Sequence, residues 1–143
     1  MKRLLSTNLN IMLLSIVLIL ASCKAQKMTS EQLLNQEYVI TQIGDKDVSD
    51  SGLTLNVNPE NSTISGFAGC NKYNYSYELK DGELDMGFAS ATKMYCDNNM
   101  DLENLFFQKS ASVTQFENSP KEINLKNKDG EVVIKAIKKE DSE

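Results

Sequence analysis

The chain contains no histidine and no tryptophan, and only three of its 143 residues are cysteines. Without histidine, Ser-His-Asp and Cys-His catalytic groups are excluded, as are His-ligated zinc and haem. Three cysteines are also too few for a metal site with four thiolate ligands. These absences remove much of the common catalytic repertoire, and an enzyme would have to rely on Asp, Glu or Tyr groups alone. Because the sequence places no convincing pair of carboxylates, we expect a protein that is not an enzyme, with no catalytic residue, no metal site and no cofactor.

Basic residues are also scarce. Fifteen Lys and Arg side chains stand against 20 Asp and Glu, which gives a net charge of −5. A general nucleic-acid binder needs a basic face to neutralise phosphates, so we expect no nucleic-acid partner. With 41% hydrophobic residues the chain is too apolar for intrinsic disorder, and its length suits one ordinary domain.

An apolar run near the N-terminus, residues 11–20, has half of the roughly 20 residues that crossing a bilayer requires. It follows the basic residues Lys2 and Arg3 and precedes small residues, a pattern typical of a secretory signal peptide. The end of this segment, Leu20-Ala21-Ser22-Cys23, resembles the bacterial lipobox. In such signals the cysteine thiol receives a diacylglyceryl group, and the chain is cleaved just before the cysteine.

This pattern predicts a cleaved lipoprotein signal peptide at residues 1–22 and a lipidated tether at 23–30, with the lipid on Cys23. The alternatives are an ordinary signal peptide with a chance cysteine, or an uncleaved anchor. Two or three acyl chains would hold the protein on a membrane, whereas one chain gives only marginal binding. Cleavage removes two basic residues and no acidic one, so the more acidic surface cannot itself attract anionic headgroups.

The membrane is therefore the one partner that we expect, through the lipid on Cys23. Some lipoproteins are retained at the inner membrane by an Asp after the lipidated cysteine, but Lys24 occupies that position here. We expect an outer-membrane lipoprotein that faces the periplasm, with a monomeric ectodomain. The sequence identifies no protein partner.

Alternation of apolar residues with period two predicts several antiparallel strands. An opening strand at 38–43 follows a possible short helix at 31–35. Packing of a core explains a row of tyrosines better than stacking on a ligand does. The alternating sets, each on one face of a strand, are Leu53/Leu55/Val57, Tyr73/Tyr75/Tyr77/Leu79, Leu84/Met86/Phe88, Ile123/Leu125 and Val132/Ile134.

Turn signals separate these strands. Asn58-Pro59-Glu60-Asn61 divides a strand near 53–57 from one near 62–67. Asp81-Gly82 and Asp129-Gly130 favour tight hairpins, in which both central residues need positive φ. Such short connections predict antiparallel meanders rather than βαβ units.

One segment, from about residue 100 to 112, has helical periodicity instead. Residues 97–99 offer side-chain oxygens for an N-cap, and Asp101 and Glu103 favour the positive end of a helix. We predict one amphipathic helix whose apolar stripe is buried against the sheet. The residues of this stripe are Leu102, Leu105, Phe106 and Val113.

The most distinctive segments are Gly66-Phe67-Ala68-Gly69-Cys70-Asn71-Lys72-Tyr73 and Thr92-Lys93-Met94-Tyr95-Cys96. With Glu103 and Phe106 or Phe107 in the helix, they resemble the META (HslJ-like) domain family of bacterial envelope proteins. That family has a G-x-x-GCN-x-Y stretch, a hairpin, T-x-M-x-C, a helix with an early Glu and a Phe, and closing strands. One departure is Tyr38, at a position where the family often has Trp. The matching motif residues are Gly66, Gly69, Cys70, Asn71, Tyr73, Thr92, Met94 and Cys96.

The resemblance covers roughly residues 33–137 and implies an α+β fold. We expect a mainly antiparallel, strongly curved or barrel-like sheet with one principal helix packed on it. The domain is assigned to residues 31–138 and a charged tail to 139–143. The family is linked to envelope stress and has no established catalytic activity, so the resemblance implies a fold and a location but no reaction.

Cys70 and Cys96 form an even pair if Cys23 carries lipid. A disulfide between them is the first interpretation, because disulfides persist outside the cytoplasm, where the lipobox would place the domain. Such a bond would stabilise the fold by roughly 3–4 kcal/mol in the chain-entropy model. Two buried free thiols are the second interpretation. A reactive thiol is the third, although no histidine could act as its base.

Two weaker patterns have structural explanations. Gly66 and Gly69 do not form a phosphate loop, because no G-K-[ST] follows, and a bulge or a close backbone approach explains them. Residues 97–101 resemble the start of a calcium loop. Leu102 and Gln108 stand where that loop needs Gly and Glu, so helix capping explains the segment.

Two functions remain open. The first is a non-enzymatic bacterial envelope lipoprotein, a tethered binding or structural module that contributes to envelope stress tolerance. The alternative is a carrier of small apolar ligands, with a cavity enclosed by the curved sheet and the helix as in lipocalin-type barrels. An interior filled by side chains favours the module, and an open pocket of a few hundred Å³ favours the carrier.

Overall fold

The structure is a computed structural model that describes residues 32–97 and 99–140. The predicted signal peptide, the tether and Cys23 lie outside the described residues, as does the end of the predicted tail. The strands before the helix are β1 (Gln36–Ile43), β2 (Lys46–Asp47), β3 (Thr54–Asn58), β4 (Thr63–Phe67), β5 (Lys72–Lys80), β6 (Glu83–Met86) and β7 (Ser90–Ala91). Helix α1 (Met100–Ser110) follows, and then β8 (Val113–Asn118), β9 (Glu122–Asn127) and β10 (Val132–Lys138).

The strands form one antiparallel sheet in the order β6-β5-β4-β3-β1-β10-β9-β8. The short strands β2 and β7 pair with β1 and β5. The two end strands, β6 and β8, lie side by side, so the sheet curls into a nearly closed barrel. With α1 packed on this sheet, the predicted α+β class is confirmed.

Apolar side chains fill the interior of the barrel. Helix α1 lies next to β1 and β10 and places Phe106, 1% exposed, in the core. Leu102, Leu105 and Phe107 are half-buried against it, so the predicted helix does pack on the sheet. The core includes most of the alternating residues predicted from the sequence, namely Leu53, Leu55, Val57, Tyr73, Tyr75, Leu84, Ile123, Leu125 and Ile134.

Three predictions are wrong: the short helix before β1, the length of β6 and the alternation in β10. Residues 32–35 do not form a helix. Strand β6 ends before Phe88, which is fully exposed instead of lying on the apolar face. In β10 a bulge between Val132 and Ile134 interrupts the alternation, because the extra residue lets Val133 and Ile134 both face the core. Val133 is therefore buried, and Val132 is exposed.

The two Asp-Gly turns differ. Asp81-Gly82 is the predicted tight hairpin, with φ of 54° at the aspartate and 83° at the glycine. At Asp129-Gly130 only the glycine has positive φ. The side chain of Asn127 supports this second turn by accepting hydrogen bonds from the N–H groups of Asp129 and Glu131, each at 3.0 Å.

The ends of α1 also differ from the prediction. The helix ends at Ser110, and Val113 begins β8 rather than extending the helical stripe. Asn99 occupies the N-cap position, but its side chain does not cap the helix; it donates to the carbonyl of Gly69 at 2.9 Å. In the part of the chain that the structure describes, no helix has the length and apolar character needed to cross a membrane.

Candidate functional site

The two motif segments, 66–73 and 92–96, meet beside the first turn of α1. Cys70 and Cys96 form a disulfide with an S–S distance of 2.04 Å and a Cα–Cα distance of 5.9 Å. The first interpretation of this pair is confirmed, and the free-thiol and reactive-thiol interpretations are wrong for these two residues.

Asn71 is the centre of this junction and is only 3% exposed. Its side-chain carbonyl accepts hydrogen bonds from the Thr92 hydroxyl at 2.7 Å and from the Met94 N–H at 2.8 Å. Its Nδ2 donates to the Met94 carbonyl at 3.1 Å and to Glu103 Oε1 at 2.8 Å. A side-chain amide has two donors and room for two accepted bonds, so every position on the Asn71 amide is used.

Glu103 completes the junction from the helix. Its second oxygen, Oε2, accepts a bond from the Asn71 backbone N–H at 2.6 Å, and the residue is 6% exposed. A buried carboxyl group is unfavourable without hydrogen-bond partners, and Asn71 supplies two. The positive end of the helix also favours the carboxylate in the first turn. The helical periodicity of the sequence does not predict that Glu103 is buried. The sequence signal for its role is the early Glu that the helix of META-like sequences contains.

These residues, Cys70, Asn71, Thr92, Met94, Cys96 and Glu103, are called the motif cluster below. Met94 contributes through its backbone, because its side chain is 55% exposed. Thr92 also accepts from the Lys72 N–H at 3.2 Å, which fastens the second segment along the start of β5. The motif cluster therefore joins the 92–96 segment, β5 and α1.

Gly66 and Tyr73 lie opposite each other on β4 and β5, next to the motif cluster. The Tyr73 hydroxyl donates to the Thr54 carbonyl at 2.8 Å. A Cβ on Gly66 would lie 2.1 Å from that carbonyl oxygen, so the close backbone approach predicted for this glycine is present. Burial, with a smaller contribution from Tyr75, raises the pKa of Tyr73 far above its usual value.

The polar groups of the motif cluster form hydrogen bonds with one another and do not point into an open cleft. Asn71 has no free donor or acceptor, and both Glu103 oxygens accept from it. Among residues 32–97 and 99–140, no group of three or more His, Cys, Asp or Glu side chains is placed to hold a metal ion. The arrangement can hold segments together, and it presents no activated nucleophile.

A cleft of about 350 Å³ lies elsewhere, beside the C-terminal end of α1. Its walls include Tyr75, Asp85, Met86, Phe88, Phe107 and Ala111, and it is called the Phe88 cleft below. No local pattern in the sequence indicates this cleft, because its walls come from β5, β6, the following loop and the helix.

Tyr75 is held in the wall of the Phe88 cleft by a hydrogen bond of 2.6 Å with Ser110. Ser110 Oγ also lies 3.1 Å from the Phe107 carbonyl, which places this pair at the last turn of α1. Burial raises the pKa of Tyr75, and the bond to Ser110 opposes this in part.

A family model described as the META domain matches residues 31–140, which is most of the chain. The chain belongs to the META domain family. This match confirms the resemblance that the motif segments indicated. In the folded domain those segments contact each other and form the motif cluster. A comparison with curated proteins finds no match.

Two solved structures resemble this META domain. One, described as the NMR structure of the protein from Burkholderia xenovorans, has a TM-score of 0.61 and 19% identity, and the match covers 85% of this chain and 96% of that one. Another, described only as an NMR structure, has a TM-score of 0.54 and 18% identity, and covers 78% of this chain and 95% of that one. At these identities the similarity shows the fold alone.

Proposed function

We propose that this META domain protein is a non-enzymatic envelope lipoprotein, a structural module tethered by lipid on Cys23 that contributes to envelope stress tolerance. The observation that carries the proposal is the motif cluster. The most distinctive polar residues of the chain bond to one another inside the fold, so they stabilise the domain instead of acting on a substrate.

The Cys70–Cys96 disulfide supports a location outside the cytoplasm. Disulfides persist in oxidising compartments and are rare in the cytosol. With these two cysteines paired, Cys23 is the third cysteine of the chain, and it follows Leu20-Ala21-Ser22 as a lipobox requires. The acidic surface offers little attraction for anionic headgroups, so lipid would be the membrane attachment.

We further propose an outer-membrane location that faces the periplasm, with a monomeric domain. Lys24 supports the sorting, since an Asp at this position is what retains some lipoproteins at the inner membrane. The alternative of an apolar-ligand carrier with a lipocalin-like interior has less support. Side chains such as Ile40, Leu55 and Phe106 fill the barrel interior and are almost completely buried, and the 350 Å³ Phe88 cleft lies at the surface beside the exposed Phe88 ring rather than inside the barrel.

Metabolic labelling with an alkyne fatty acid tests the lipid. The wild-type chain should take up the label and fractionate with membranes, whereas Cys23→Ala should remain an unlabelled, soluble or uncleaved precursor. Lys24→Asp is the matched variant: it should keep the label but shift the protein toward the inner membrane. A Cys23→Ala protein that still partitions into detergent at the mature mass would show the lipobox assignment to be wrong.

Complementation tests the role in the envelope. In a strain that lacks this protein, the wild-type gene should restore growth under detergent or osmotic stress, and Cys23→Ala should not. Equal rescue by both would mean that tethering is unnecessary for the function.

A further inference from the structure

The Phe88 cleft combines aromatic rings with negative charge. We propose that it binds a compact organic cation with apolar substituents, such as a quaternary ammonium group. The site lies at the protein surface beside the end of α1, apart from the filled barrel interior and apart from the motif cluster.

Three aromatic residues line the cleft. Tyr75 and Phe107 are held in fixed positions, the first by Ser110 and the second by the Phe106 ring at 5.3 Å between centroids. Phe88 contributes a third ring, and it is fully exposed although it lines the cleft. Faces of aromatic rings attract cations, and an occupant would cover a large apolar side chain that otherwise stands in water.

The cleft also has negative charge and no basic side chain in its lining. Asp85 is one of the residues that line the cleft, and Ala111 places the C-terminal, negative end of α1 there. The cleft-lining residues include no Lys or Arg. Lys109, the basic residue of the last helical turn, lies beside Gly44 instead, where a Cβ on that glycine would come within 3.2 Å of it.

These features distinguish among the possible ligand classes. A neutral apolar molecule would use the rings but gain nothing from Asp85, and an anion would be repelled by the carboxylate and by the helix end. An organic cation uses both kinds of wall. The net charge of −5 for the chain would also raise the local concentration of cations.

Methionine methyl groups provide a local readout in the full-length chain in micelles of an uncharged detergent. Met86 lines the cleft, whereas Met94 is exposed and does not, so its methyl group is an internal control. With carbon-13 methyl-labelled methionine, choline should shift the Met86 resonance saturably and leave Met94 unchanged. The uncharged molecule of the same shape, 3,3-dimethylbutanol, should bind at least threefold more weakly than choline, roughly the value of a surface cation–π contact.

Four variants test the contribution of the charge and that of the aromatic rings separately. Asp85→Asn and Phe88→Ala should each weaken choline binding roughly threefold to tenfold. Glu83→Gln removes the same charge from an exposed residue of β6 that does not line the cleft, and Tyr95→Ala removes an exposed ring outside it. Both controls should bind as the wild type does. The dispersed methyl spectrum of each variant reports that it is folded.

Three results would overturn the proposal. Equal affinity for choline and its uncharged analogue, unaltered by Asp85→Asn, would make the cleft a neutral apolar site. Parallel shifts of Met86 and Met94 would indicate non-specific association. The absence of any saturable shift at Met86 would mean that the cleft binds no such cation.

Discussion

Asn71 and Glu103 are 32 residues apart in the chain, yet two hydrogen bonds of 2.6 and 2.8 Å join them. The backbone and side-chain nitrogens of the asparagine each donate to one oxygen of the same carboxyl group. Because both residues are buried, each satisfies the other, and loss of either would leave a polar group unpaired inside the protein. This pair ties α1 to the residue that precedes β5.

Glu103→Gln should therefore lower the free energy of unfolding by about 1–3 kcal/mol, because the new NH₂ group would face one of the two Asn71 donors. Asp101→Asn, an exposed change in the same helical turn, is the control and should shift stability by less than about 0.5 kcal/mol. Urea unfolding followed by circular dichroism measures both. Equal stability of the two variants would show that this pair contributes little to the fold.

Removal of the disulfide should have a larger effect. The bond joins residues 26 apart, and the Cys70→Ala/Cys96→Ala double variant should lose about 3–4 kcal/mol of stability. Dithiothreitol should lower the unfolding midpoint of the wild type and leave that of the double variant unchanged. The prediction fails if the midpoint of the wild type stays the same after both thiols have become reactive toward a labelling reagent.

Gly66→Ala should destabilise the protein by about 3 kcal/mol, since the added methyl group would collide with the backbone at Thr54 and β3 or β4 would have to move. Gly87→Ala is the matched control. Its methyl group would come no closer than 3.4 Å to a neighbouring atom, so it should be nearly neutral. Thermal unfolding of the two variants compares them directly, and similar midpoints would contradict the close approach at Gly66.

Alkaline pH should weaken the fold. Burial raises the pKa of Tyr38, Tyr73 and Tyr75, whereas in the unfolded chain these phenols ionise near pH 10. Their contribution to stability is complete below about pH 10 and declines as the pH rises toward the folded-state pKa values, because the unfolded state then holds fewer protons.

Denaturant unfolding between about pH 8 and pH 11 measures this decline. Tyr75→Phe should make it shallower by removing one phenol that ionises only on unfolding. Tyr77→Phe is the comparison, since Tyr77 is only half-buried and should affect the slope less. Identical slopes for wild type, Tyr75→Phe and Tyr77→Phe would argue against a role for buried phenols.

Features with a local cause could be predicted from the chain alone. Asp81-Gly82 forms the expected hairpin because the two residues adopt positive φ without help from elsewhere. Alternation placed Leu53, Leu55 and Val57 in the core, since a strand turns successive side chains to opposite faces. The motif segments indicated the family, and the pair of cysteines that remains when Cys23 is assigned to the lipobox indicated the disulfide.

Features that depend on a distant partner were decided by the tertiary structure. Periodicity treats Glu103 as a polar spacer, but Asn71 brings two donors that make its burial favourable. Val133 is buried because β9 accommodates a bulge, and Phe88 borders a cleft because β5, β6 and α1 converge there. A residue pattern reports the geometry of its own strand or helix, and it holds no information about the hydrogen bonds and contacts that another part of the chain supplies.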